Sequence, residues 1–100
     1  MKIMAIGSLT QQLTPELQKQ IMPKEVPDTL KLYLSGTIEQ FWLREYAGKI
    51  DGVIFLLSAA SMEEAKAAVD ALPLTAEGLM SFELLPLAPL LPLGLLLQGR

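Results

Sequence analysis

Apolar and polar positions fall into blocks along the chain. Lys2 to Leu9 (KIMAIGSL) is a short apolar run closed by Thr10-Gln11-Gln12, and it reads as a first strand. Thr14-Pro15-Glu16 has the make-up of a helix start. It offers a hydroxyl to cap free N–H groups, a proline at the first helical position and an acid at the positive end of the dipole. From Glu16 to Ser35 the pattern is helical, and Val26, Leu30, Tyr33 and Leu34 recur on one face. Pro23 and Pro27 each lack an N–H donor and are expected to break or kink this helix. Gly36 suits the left-handed position just past its end.

Thr37 to Tyr46, rich in aromatic and β-branched residues, reads as a second strand, and Gly48 to Gly52 as a turn. Val53 to Leu57 is wholly apolar between turn signals, the mark of a strand buried on both faces. Ser61-Met62-Glu63-Glu64 is a capping box opening a helix to about Leu72, with Met62, Ala65, Val69 and Leu72 facing inward. Leu79 to Leu85 is the fourth strand. The order strand, helix, strand, strand, helix, strand makes two split β-α-β units. This is an α+β, ferredoxin-like protomer, an antiparallel sheet with two helices on one face. Since the third strand is apolar on both faces, the uncovered face is expected to pack against a second copy, sheet on sheet.

The end of the chain changes this picture. Leu84 to Leu97 carries no charge and is dominated by leucine. Its 14 residues fall below the roughly 20 that a membrane helix needs. Pro86, Pro89 and Pro92 deny it helical bonding, and an extended segment would leave backbone groups unpaired in lipid. Disorder usually goes with low hydrophobicity. The reading is a domain over 1–88 and an extended C-terminal arm over 89–100 that lies across a neighbouring subunit, with no membrane partner.

A chain of 100 residues suffices for one domain, and its 51% apolar content implies that some surface meets another chain. The net charge of −3 and the lack of any basic run argue against nucleic acid. There is no cysteine and no histidine, so disulfides, thiolate metal sites, the commonest metal ligand and the usual general base are all excluded. Acid–base chemistry would fall to carboxylates, Tyr, Lys or water. The apolar run from Met1 stops at Gly7-Ser8, short of a signal-peptide core, which leaves a cytoplasmic location as the expectation.

Three segments in order, LYLSGTIEQFWLRE (Leu32 to Glu45), SMEEAKAAVDALPL (Ser61 to Leu74) and GLMSFELLPLAP (Gly78 to Pro89), resemble the muconolactone isomerase-like proteins of the dimeric α+β barrel superfamily. The resemblance covers roughly Ile21 to Pro89. It implies a ferredoxin-like protomer that forms a dimeric α+β barrel through its sheets and assembles further. It also implies a cofactor-free shift of a proton within a small unsaturated lactone or oxo acid. The sequence departs from the pattern in having no histidine, in the prolines around Glu25, and in the loop from Tyr46 to Gly52.

The resemblance points first to Glu25, which precedes Gly36 by the eleven residues that separate the isomerase's glutamate from the matching glycine. Its implied role is a general base acting on carbon next to a carbonyl, work that suits a carboxylate in an apolar pocket. The plain alternative is a solvated glutamate in the first turn after Pro23. Arg44 shares a strand face with Ile38, Gln40 and Trp42 and would grip a substrate carboxylate or steady an enolate, or else pair with a nearby acid. Tyr33, Trp42 and Tyr46, with Phe41, would line the substrate pocket, or serve as ordinary core. Asp28, one turn beyond Glu25, would act beside it at the substrate or pair with Lys24 or Lys31. Two other functions compete with the isomerase or lyase: a cofactor-independent monooxygenase acting on phenols, and a non-catalytic small-molecule-binding or assembly protein.

Overall fold

The helix starts are set locally. Thr14 Oγ1 accepts the Leu17 N–H at 3.2 Å and opens α1 (Pro15–Leu34). Ser61 Oγ accepts the Glu64 N–H at 3.1 Å and opens α2 (Met62–Asp70). Glu64 reaches back to the Ala60 N–H at 3.2 Å, one residue before the donor of a standard capping box. These helices alternate with β1 (Lys2–Leu9), β2 (Ile38–Tyr46), β3 (Lys49–Ser58) and β4 (Met80–Leu87), and a single turn, α3 (Pro73–Ala76), precedes β4. The computed structural model describes residues 1–89, so the predicted arm, Pro89 apart, lies outside the described residues.

α1 is continuous through both prolines, where a break or kink was expected. The bonds that Pro23 and Pro27 cannot make would have ended on the carbonyls of Lys19 and Pro23. All three residues are exposed, so water can reach those carbonyls and the helix is not broken there. The β2–β3 turn also differs from the expected Gly48 to Gly52. It is Ala47-Gly48, with φ of 52° and 79°, the paired left-handed conformation that a two-residue hairpin needs. Gly52 lies within β3 for another reason: a Cβ there would sit 1.9 Å from the Gly7 carbonyl oxygen on β1.

The sheet is antiparallel in the order β2-β3-β1-β4, the ferredoxin-like arrangement expected, and both long helices lie on one face. Ile3, Ala5, Ile38, Phe55 and Leu57 meet Ala65, Val69 and Leu72 in the main core. A smaller cluster of Ile21, Leu74, Leu79 and Met80 lies beside α1 and α3. The other face carries Met4, Ile6, Ile54 and Leu56 at its centre, with Trp42 and Leu85 on its outer strands, and no described helix covers it. Ile38 does not share that face with Gln40, Trp42 and Arg44 as strict alternation predicts. A bulge at Glu39 sets Ile38 opposite Leu57 on the helix side, and Glu39 pairs with Lys2. Pro86 is tolerated within β4 because that strand is an edge. No described helix is long and apolar enough to cross a membrane.

Candidate functional site

The smaller cluster borders a cavity of about 360 Å³ between α1 and the sheet. Val53, Phe55, Met80 and Phe82 form its floor, and Met22, Glu25, Val26, Thr29 and Leu30 its α1 wall. Phe41, Trp42 and Leu43 on edge strand β2 complete the mouth. Gly7 makes the floor possible. A Cβ there would lie 2.7 Å from the Phe82 ring and 2.9 Å from Met80 Sδ, so its absence lets both side chains lie across β1. Phe82 then packs on Phe55 with ring centroids 5.6 Å apart.

Glu25 is the one charged residue in this lining and, at 9% exposure, the one charged residue of the described chain that is buried. A buried carboxylate needs donors, and Glu25 has two. Its Oε1 accepts the Leu74 N–H at 2.8 Å, and its Oε2 accepts the Thr29 hydroxyl at 2.9 Å. Leu74 is in the first turn of α3, whose N-cap residue, Leu72, has no side chain able to cap it. Glu25 therefore caps α3 from across the fold while facing the cavity. Each carboxylate oxygen has two acceptor sites, so both keep one open.

The other residues singled out by sequence are distributed as follows. Trp42 borders the cavity from edge strand β2, but its pairing with Ile54 sets its side chain on the bare face of the sheet. Tyr33 is outside the lining but packs on Phe41, ring centroids 5.1 Å apart. Asp28 is half-buried and forms no ion pair with Lys24 or Lys31 among the described residues. Arg44 and Tyr46 are away from Glu25, around a shallow groove on the β2–β3 hairpin. There the Arg44 guanidinium forks onto Asp51, Nε to Oδ1 at 2.9 Å and a terminal nitrogen to Oδ2 at 3.0 Å. Those hydrogen bonds hold the Asp51 carboxyl below the usual carboxylate range and push Arg44 further up. Sequence reasoning missed Thr29, Met22, Phe82 and Leu74. Thr29 had a signal, since it lies one helical turn beyond Glu25. Leu74 had none, as its contact spans 49 positions. Among the described residues no group of three acids could hold a metal ion.

No protein-family model matches the sequence, and no curated protein does. Solved structures do match. Muconolactone isomerase has a TM-score of 0.72 and 19% identity over 91% of this chain and 92% of that one. The 5-chloro-2-hydroxyhydroquinone dehydrochlorinase of Burkholderia phenoliruptrix, in complex with 2,5-dihydroxybenzoquinone, has a TM-score of 0.71 and 15% identity over 88% and 94%. The chain thus has the fold of muconolactone isomerase, as the resemblance in its sequence implied.

Proposed function

We propose that the protein is a cofactor-free enzyme that shifts a proton within a small unsaturated carbonyl compound held in the cavity beside α1. The observation that supports this reading most is Glu25, a buried carboxylate facing an otherwise apolar cavity with an acceptor site open on each oxygen. Its carboxylate would take a proton from carbon next to the carbonyl. The electron pair would move into the conjugated system, and the same proton would return at its far end, so the product is an isomer and no co-reactant is used. The likeness of fold to an isomerase and a dehydrochlorinase is consistent with chemistry on small rings. Two copies pairing through the bare sheet faces, as a dimeric barrel, are part of the proposal, with the 89–100 segment as an arm between copies. Asp28 and Tyr33 would support the wall from outside. In this reading Arg44 and Tyr46 belong to the hairpin, since the guanidinium is occupied by Asp51.

Glu25→Gln tests it. Glutamine keeps an oxygen for the Leu74 N–H, so the fold should persist while turnover of an active lactone or enone falls by about 10²-fold or more. Unchanged turnover would remove Glu25 from the chemistry. One observation favours a second reading, a binding protein without catalysis: both oxygens of Glu25 already serve the fold through Thr29 and α3. Binding of small rings without turnover of any of them would decide for it.

A further inference from the structure

The polar inventory of the cavity is one-sided. Among the described residues its lining contains no lysine or arginine, and Arg44 is elsewhere with its fork filled by Asp51. Glu25 only accepts when ionised. The Thr29 hydroxyl has one proton, and its two partners, the Glu25 carbonyl at 2.9 Å and Oε2 at 2.9 Å, both compete for it. The Leu74 N–H is taken. Among the described residues the site therefore offers acceptors and aromatic walls but no free donor and no positive charge.

We infer that the cavity takes an uncharged ring bearing a hydroxyl, phenolic or enolic, and excludes ligands that carry a carboxylate. The inference rests on the proposed function and narrows its substrate class, removing the oxo acid and the carboxylate-bearing lactone. A ring fills the space between Phe55, Phe82 and Phe41, and its O–H meets the open acceptor sites of Glu25. A carboxylate would be buried beside a like charge with nothing to neutralise it, which is costly in an apolar site.

Calorimetry reads the occupancy of the cavity directly. The full-length protein is titrated with p-cresol and 4-hydroxybenzoate, rings of one size carrying no charge and a negative charge. p-Cresol should bind more tightly than 4-hydroxybenzoate by roughly tenfold or more. Leu43→Arg, at a rim position 67% exposed, should raise the affinity for 4-hydroxybenzoate relative to that for p-cresol by about tenfold. Equal or tighter binding of 4-hydroxybenzoate to the parent protein, or no heat with either ring, would overturn the inference. Binding is read without turnover, so it fails separately from the Glu25 mechanism. Tight 4-hydroxybenzoate with an inactive Glu25→Gln sinks the inference alone. Tight p-cresol with an active Glu25→Gln sinks the mechanism alone.

Discussion

Under α2 the centre of the sheet is covered, and a groove remains only toward β4. Ala65, Val69 and Leu72 press onto Ile3, Phe55 and Leu57, and the inward side chains of the helix are all apolar. Under α1 the sheet is only partly covered. α1 buries Ile21 and Glu25, leaves Val26, Leu30 and Tyr33 exposed, and stands over a cavity. The two helices occupy equivalent places in a repeated β-α-β frame, yet one closes a core and the other encloses a space. The difference is in the side chains. The buried residues of α2, Ala65 and Val69, are both apolar, whereas Glu25 and Thr29 on α1 use their polar atoms to hold one another and α3. A filled core and a cavity are thereby assigned to different halves of one sheet.

The largest blow to this division should come where both halves depend on the same contact. In Gly52→Ala the added methyl would meet backbone of β1, which cannot step aside as a flexible side chain can. A loss of about 4 kcal/mol or more is expected, read by thermal unfolding and circular dichroism, and both halves should fail together. Next, Leu57→Ala empties a fully buried position in the α2 half. It should cost ~2–5 kcal/mol in urea unfolding while the folded fraction binds p-cresol as before. Loss of binding there would show that the halves are not separable.

Glu25→Ala should cost about 1–3 kcal/mol, because the buried Leu74 N–H is left without an acceptor. Glu25→Gln should cost distinctly less, and identical denaturation curves for the two variants would mean that the cap on α3 contributes nothing. The smallest effect belongs to the other carboxylate. Asp51 has its folded pKa lowered, mainly by its hydrogen bonds to Arg44, so its contribution is complete above the ordinary aspartate value of about 4 and is lost as pH falls through the lower folded value. Arg44 stays charged throughout. The difference in melting temperature between the parent and Asp51→Asn should therefore be small near neutral pH and vanish in strong acid. A difference that grows on acidification would contradict the pairing.

The strand and helix order was legible because its signals are local: alternation, a capping serine, a proline in a first turn. Errors arose where one residue type serves two purposes. Gly48 and Gly52 both read as turn residues, but only Gly48 has a left-handed φ, while Gly52 makes room for a neighbouring strand. Pro23 and Pro27 read as helix breakers because their exposure, which leaves the orphaned carbonyls to water, is a tertiary fact. For the site, Glu25 and Trp42 could be picked out, yet the bulge at Glu39 that reassigns the faces of β2 depends on pairing. So does the Arg44–Asp51 fork, which joins residues on two strands across the hairpin.

The bond from Glu25 to the Leu74 amide has a spectroscopic consequence. A backbone N–H held by a side-chain oxygen that also faces the cavity shares its acceptor with whatever enters. In a nitrogen–proton correlation spectrum the Leu74 resonance should move early in a ligand titration, although Leu74 is 49 positions away from Glu25 in the chain. One amide signal would thus report both the occupancy of the cavity and the integrity of the cap on α3.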